Sequence, residues 1–113
     1  MEPLNIESLV EFSAAKRIRK KLLGSSRIVI ELLCYEPGQA TPIHQHPQQD
    51  EVFYVLEGKG TISLGGEESP IAPQSLILVP AQVPHGMTAS SDGRMVVLFF
   101  KAPGSTKAEL SDQ

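Results

Sequence analysis

Residues 38–58 read GQATPIHQHPQQDEVFYVLEG and carry most of the information about the fold and the site. Two of the three histidines, His44 and His46, stand two positions apart, and Glu51 follows five positions later. On a β-strand, residues two apart share a face at a backbone spacing of about 6.5 to 7 Å. Two imidazoles can therefore converge on one ion, and an antiparallel return after the loop 47–50 would bring the Glu51 carboxylate beside them.

The third histidine, His85, follows Pro84 and begins an extended run that closure of a barrel would turn inward. A single histidine in such a chain is more often a hydrogen-bonded core or rim residue than a ligand. Here every histidine enters one arrangement with a carboxylate, which favours a metal site formed by His44, His46, Glu51 and His85. The alternative is a metal-free polar pocket.

Short extended segments punctuated by glycine and proline lie on both sides of this stretch. Lys16 to Leu23 and Arg27 to Tyr35 predict a hairpin joined by a Gly/Ser turn. About nine strands at regular spacing predict an all-β sandwich or barrel. One short helix is expected at Asn5 to Phe12, with Asn5 as its cap. The remaining extended segments are 44–46, 51–56, 61–64, 75–79, 83–89 and 95–100, and the turn signatures are Gly58-Lys59-Gly60, Gly65-Gly66-Glu67-Glu68, Ser69-Pro70 and Asp92-Gly93.

The length of 113 residues predicts a single domain over 1–113. The barrel core is expected at about 16–102, followed by a loosely ordered tail over 103–113. Because the chain has no tryptophan and only two tyrosines and four phenylalanines, its core is expected to consist mainly of Ile, Leu and Val.

The alternation along residues 28–35 predicts which side chains point inward. If Glu31 faces solvent, then Val29, Leu33 and Tyr35 share that outer face. The inward face then carries Ile28, Ile30, Leu32 and Cys34.

Net charge and cysteine content limit the classes of partner. A net charge of −3 gives no general attraction to nucleic acid or anionic lipid. No basic region followed by an apolar stretch opens the chain, and no long apolar run occurs, so a cytoplasmic protein without membrane contact is predicted. The single cysteine fits a reducing compartment. Six of the ten basic residues lie between Lys16 and Arg27, which we interpret as a charged edge strand rather than an anion-binding patch.

The spacing Gly38-x5-His44-x-His46-x4-Glu51-x6-Gly58 resembles the first motif of the cupins, G-x5-H-x-H-x3,4-E-x6-G, at every specified position. The second cupin motif, G-x5-P-x-G-x2-H-x3-N, is kept in part. Its proline and histidine correspond to Pro80 and His85, whereas Gln74, Gln82 and Ala89 replace the two glycines and the asparagine. With its flanking strands, the resemblance covers about two-thirds of the chain.

This resemblance implies a double-stranded β-helix, the jelly-roll barrel of a small single-domain cupin, with a metal in its pocket. Three neutral imidazoles and one carboxylate suit Mn, Fe, Ni, Co or Zn, and octahedral coordination would leave two positions open. The losses at Gln74 and Gln82 affect turns, so Gln82 must either adopt a negative φ or carry strain. The ligands themselves are unaffected.

Strand parity predicts an apolar wall around the ion. No inward Arg or Lys is evident, which favours a small organic acid or phenol over a sugar phosphate. Sulfur ligation is not expected from Cys34, for which a buried inert thiol is the preferred interpretation. The predicted pocket residues are Ile30, Leu32, Cys34, Phe53, Ile62, Leu64 and Met87.

Three functional interpretations remain open. The first is a metal-dependent enzyme of the dioxygenase, isomerase, lyase or decarboxylase type, and the second is a non-catalytic protein that binds or senses a metal or small ligand. The third is a structural metal that stabilises a small barrel. Apolar outer-face residues also predict a homodimer formed through a sheet; these are Leu33, Tyr35, Tyr54 and Leu56.

Overall fold

The computed structural model describes residues 2–104, and within them the fold is built almost entirely of strands. The predicted all-β class is confirmed. One 3-10 turn, Glu7–Leu9, precedes the first strand. The strands are β1 Ile18–Gly24, β2 Val29–Tyr35, β3 Ala40–His44, β4 Asp50–Glu57, β5 Gly60–Leu64, β6 Glu67–Ile71, β7 Leu76–Val79, β8 His85–Ala89 and β9 Met95–Ala102.

Two antiparallel sheets face each other and enclose the core. The five-stranded sheet has the order β1-β2-β9-β4-β7, and the four-stranded sheet has the order β3-β8-β5-β6. Apart from the β1–β2 and β5–β6 pairs, successive strands therefore cross between the sheets, as in a jelly roll. The main core cluster lies inside the barrel and includes Tyr35, Val55, Ile62 and Met95.

The predicted hairpin is present, with β1 paired to β2 from Ile18↔Cys34 to Gly24↔Val29.

One turn glycine has a specific backbone role. Gly58 has φ +78°, and a Cβ at this position would collide with the backbone of Arg94. Glycine is therefore required where β4 turns towards β5.

The predicted facing of β2 is wrong. Glu31 is 1% exposed and points into the barrel, because Arg19 and Lys101 from the neighbouring strands accompany it there. Leu33 and Tyr35 consequently belong to the interior cluster. Leu32 and Cys34 lie on the opposite face of the sheet, in a second cluster with the N-terminal residues.

The N-terminal segment covers part of the outer face of the five-stranded sheet. Ile6, Leu9, Val10 and Phe12 pack there against the second cluster. The predicted helix over 5–12 shrinks to a single turn, with the Ser8 N–H donating to Asn5 Oδ1 at 3.1 Å. Packing on the sheet, rather than helix propensity, holds this segment.

Two further expectations differ from the structure or lie partly outside it. Ser69 and Pro70 lie within β6 instead of forming a turn, and proline is tolerated there because β6 is an edge strand. Of the predicted loose tail, Pro103 and Gly104 hydrogen-bond to the barrel, and residues 105–113 lie outside the described residues. Within residues 2–104, no helix has the length and apolar character needed to cross a membrane.

Candidate metal centre

The four predicted ligand side chains come together in the barrel. His44, His46, Glu51 and His85 each offer one nitrogen or oxygen atom, and these atoms all lie within 4.8 Å of one another. Donor atoms bound at about 2.1 Å to one ion are about 3 Å apart when adjacent and about 4.2 Å apart when opposite. The cluster is therefore close to the size that a single metal ion requires.

Both sheets contribute to the cluster. His44 ends β3 and lies directly opposite His85, the first residue of β8, whereas Glu51 comes from β4 in the other sheet. His46 lies beyond the end of β3, in the connection to β4, where its carbonyl accepts the Gln82 N–H at 2.7 Å. The sequence predicts both histidines on one strand, with the strand of Glu51 returning beside it. In the structure only His44 lies on that strand, and Glu51 comes from the other sheet.

Backbone carbonyls orient two of the imidazoles. His85 Nδ1 lies 2.9 Å from the Val83 carbonyl oxygen, and His44 Nδ1 lies 2.9 Å from that of Pro42. A carbonyl oxygen only accepts, so each Nδ1 carries the hydrogen. In the neutral ring, Nε2 then has a lone pair that is available to a cation.

Two buried atoms of the cluster lack hydrogen-bond partners in the described part of the chain. Glu51 Oε1 lies 3.2 Å from His85 Nε2 and 3.3 Å from His46 Nε2. Among residues 2–104, neither Glu51 Oε2 nor His85 Nε2 has a hydrogen-bond partner, although both are buried. Buried acceptors normally have partners because leaving them unsatisfied costs free energy. A divalent cation between these atoms would satisfy them together, so the donor set fits a metal.

Two of the histidine pKa values are displaced in opposite directions. Burial lowers the pKa of His85, but the Glu51 carboxylate and the Val83 carbonyl outweigh burial, and the net pKa lies above the ordinary value of 6.5. Burial also lowers the pKa of His46; Glu51 opposes this, and Lys101 and the other two histidines reinforce it, so the net pKa falls. Without a metal, His85 therefore holds its proton more strongly than His46 does.

A cavity of about 300 Å³ opens beside the cluster. Of the predicted pocket residues, Phe53 and Met87 line it. Ile62 and Leu64 instead belong to or pack against the interior core. The residues that line the cavity are Arg17, Arg19, Leu33, Thr41, Pro42, His44, His46, Phe53, His85, Gly86, Met87 and Phe99.

The predictions of Ile30, Leu32 and Cys34 as lining residues are wrong, because they share the outer face of β2. Leu33 occupies the wall in their place. Cys34 is a free, buried cysteine, and burial raises the pKa of its thiol. This agrees with an inert thiol remote from the site.

The sequence interpretation missed the cationic residues of the cavity. Arg17 and Arg19 line it, although no inward arginine was expected and the basic run 16–27 was assigned only to an edge strand. β1 is indeed an edge strand. Alternation from a buried Glu31 would have indicated Arg19, which is paired with Leu33 in the sheet.

The turns around the second motif keep a glycine-like backbone without glycine. Gln74 has φ 75° and Gln82 has φ 72°, the left-handed region that glycine occupies without cost. Of the two possibilities for Gln82, the structure therefore has the strained one. The Gln82 N–H nevertheless reaches the His46 carbonyl, so this turn supports the loop that carries a candidate ligand.

Comparison with known families agrees with this architecture. The Cupin_2 family model, described as a cupin domain, matches residues 31–101. The chain is a cupin.

Two curated relatives and one solved structure illustrate the range of proteins that are similar to this chain. Auxin-binding protein 4 of Zea mays is 33% identical over 92 residues, 71% of this chain and 45% of the relative. Polyketide synthase CurC of Streptomyces cyaneus is 26% identical over 88 residues, 78% of this chain and 57% of the relative. The chain thus spans about half the length of these curated relatives. The crystal structure of TT1209 from Thermus thermophilus superimposes with a TM-score of 0.86 at 32% identity, over 91% of this chain and 98% of that chain.

Proposed function

We propose that this cupin binds one divalent transition metal ion through His44, His46, Glu51 and His85, and takes a small oxygen-bearing organic molecule into the adjoining cavity. The observation that carries this proposal is a pair of buried atoms, Glu51 Oε2 and His85 Nε2, that have no hydrogen-bond partner among residues 2–104. In the absence of a cation these atoms leave polar groups unsatisfied in the interior.

The unequal exposure of the ligands supports access from the cavity. Glu51 and His85 are 1% and 2% exposed, whereas His44 is exposed at the rim. Three protein nitrogens and one oxygen would leave two positions of an octahedral ion free. The residues therefore suit an open site better than a closed tetrahedral structural one, which usually favours Cys.

A metal-dependent enzyme of the dioxygenase, isomerase, lyase or decarboxylase type is the function we favour. A divalent ion in this site would polarise a ligand oxygen or activate a small molecule. The chain's own contribution would be the apolar wall formed by Leu33, Phe53, Met87 and Phe99, which would exclude water from the ligand.

A non-catalytic binding or sensing protein is the second candidate. Within residues 2–104, the cavity lining includes no Asp, Glu, Tyr or Lys, so acid–base groups other than the candidate ligands are scarce. The relatives' names include both possibilities, since one is a binding protein and the other a synthase.

The experiment that tests the metal proposal is elemental analysis of untagged protein. We expect close to one divalent transition metal ion per chain, lost on treatment with a chelator. Absence of metal from protein that also fails to take up Mn, Fe, Ni, Co or Zn would overturn it. Oxygen uptake by Fe-, Mn- and Ni-loaded protein with catechols, diketones, flavonols or thiols then tests the dioxygenase branch. A large loss of melting temperature on chelation, with no response to any ligand, would favour a structural metal.

We also propose a cytoplasmic homodimer. Leu33 and Tyr35 no longer support a dimer, because they lie inside the barrel. An exposed apolar strip lies instead on β7, where Leu76 and Leu78 are 71% and 61% exposed next to Tyr54 and Val52 of β4. A second copy of the sheet would cover this apolar strip.

A further inference from the structure

Arg17, the residue that precedes β1, reaches into the cavity. Its Nε donates to Thr41 Oγ1 at 2.7 Å, and Thr41 Oγ1 lies 2.7 Å from the Tyr35 hydroxyl. These contacts tie the guanidinium to β3 and hold it in the lining that also contains His44 and His85. Arg17 is therefore positioned as part of the cavity wall rather than as a mobile surface side chain.

The two arginines of the cavity differ in their counter-charges. Arg19 places Nε and a terminal nitrogen 2.7 Å from the same Glu31 oxygen. Arg17 forms no ion pair with any carboxylate of residues 2–104. A partly buried guanidinium normally has an anionic partner, because losing water without one costs free energy. The missing negative charge would come from the occupant of the cavity.

The strand register relates the residue that holds this cation to the histidines, and so indicates the size of that occupant. Thr41, which holds Arg17, lies opposite Met87, whereas His44 lies opposite His85. Met87 and His85 are two residues apart on β8, a separation of about 6.5 to 7 Å. Between the two ends the wall is apolar, formed by Leu33, Phe53, Met87 and Phe99. The length of a one-ring molecule is comparable to this backbone spacing.

We propose that the cavity selects small organic anions, with a carboxylate or phosphate group bound by Arg17 and an apolar body lying between Arg17 and the histidine cluster. This inference rests on the proposed function for the use of the cavity by a small molecule, and it adds the charge class of that molecule. It also replaces the expectation that no cationic group faces inward. The guanidinium presents planar paired donors, which match the geometry of either anion.

Calorimetric titration of the protein as purified tests the proposal with three probes of similar shape. These are phenylacetate, phenyl phosphate and the neutral phenylacetamide. We expect both anions, or one of them, to bind at least about tenfold more tightly than the amide, since hydrogen bonds to charged groups are the stronger kind. The stronger of the two anions identifies whether the site takes carboxylate or phosphate. Equal binding of all three probes, or binding of none of them at millimolar concentration, would overturn the proposal.

Variants separate Arg17 from any contribution of a metal to anion binding. Arg17→Gln should lose about tenfold or more in affinity for the preferred anion, with unchanged affinity for phenylacetamide and unchanged metal content. Arg27→Gln makes the same charge change in the exposed β1–β2 turn and should bind like the wild type. If Arg17→Gln is unfolded by circular dichroism, Arg17→Lys serves instead, because it keeps the charge but loses the paired donors, and we expect intermediate affinity. Wild-type anion affinity in a folded Arg17 variant would reject the role of Arg17.

The outcomes also distinguish this inference from the proposed function. Protein with stoichiometric metal and no effect of Arg17 substitution keeps the metal centre and removes the anion site. Protein without metal that still prefers anions in an Arg17-dependent manner keeps the anion site and removes the metal centre.

Discussion

Glu51 Oε1 on β4 and His85 Nε2 on β8 face each other at 3.2 Å across the two sheets. The His85 Nδ1 hydrogen is directed to the Val83 carbonyl, so the opposing Nε2 and carboxylate oxygen need a cation between them, either a proton or a metal ion.

Glu51→Gln keeps the shape of the side chain and removes its charge. We expect metal content to fall well below one ion per chain, because a neutral amide is a weaker ligand for a divalent ion. Elemental analysis after gel filtration measures this. Glu57→Gln, at the exposed end of the same strand, is the matched control and should keep its metal. A fully loaded Glu51→Gln protein would show that the carboxylate is not a ligand.

Metal binding should weaken as pH falls. The pKa of His85 in the metal-free protein lies above 6.5. As the pH falls through that pKa, the imidazole binds a proton that competes with the metal ion. Without metal, the same raised pKa contributes stability below 6.5 that is lost as pH rises through the folded value. The difference in melting temperature between loaded and chelator-treated protein should therefore grow from pH 6 to pH 8. A difference that shrinks over this interval would contradict the assignment.

The charges buried with Glu31 should be strongly coupled. Arg19 and the buried Lys101 share this carboxylate at 2.7 and 3.6 Å, and burial lowers the pKa of Lys101 despite Glu31. Glu31→Gln should cost about 3 kcal/mol because it leaves Lys101 buried without its anion. Adding Lys101→Met should recover part of the loss.

Urea unfolding measures these differences. The control is Glu11→Gln, which breaks the exposed pair with Lys20 and should cost less than about 1 kcal/mol. Equal effects of Glu11→Gln and Glu31→Gln would refute the coupling.

Gln82→Gly should stabilise the protein by up to about 1 kcal/mol. The φ of Gln82 is 72°, and relief of the left-handed strain exceeds the entropy that glycine adds to the unfolded chain. Ala81→Gly is the neighbouring control. Ala81 has no positive φ and should lose stability on substitution. Thermal unfolding at constant metal loading compares the two, and a destabilised Gln82→Gly would mean that the glutamine side chain contributes more than the backbone strain costs.

Leu76→Glu combined with Leu78→Glu should yield a monomer if the exposed strip on β7 is the dimer interface. Charged side chains at a sheet interface oppose its burial. Sedimentation should change from about twice to about once the chain mass of 12.3 kDa. Leu4→Glu, on the N-terminal segment, should remain dimeric. A wild-type monomer at micromolar concentration would refute the dimer.

Local sequence patterns were sufficient for much of the fold and for the residue types of the candidate centre. Glycine and proline marked most turns because they set backbone angles directly. The spacing of His44, His46, Glu51 and His85 indicated one cluster, since every histidine of the chain enters the same arrangement with a carboxylate. The edge strand β6 was missed because Pro70 resembles a turn residue unless its position at the edge of a sheet is known.

The sequence alone determined that this chain is a barrel of short strands with three imidazoles and a carboxylate available to one ion. Only the tertiary structure decided which face of β2 is inside. A charged residue was expected to mark the solvent side, yet Glu31 is buried because Arg19 from β1 and Lys101 from β9 surround it. That reversal moves Cys34 out of the pocket and brings Leu33, Arg19 and Arg17 into it. Counter-charges from distant parts of the chain set the direction of such a side chain, so the character of the cavity depends on packing rather than on local pattern.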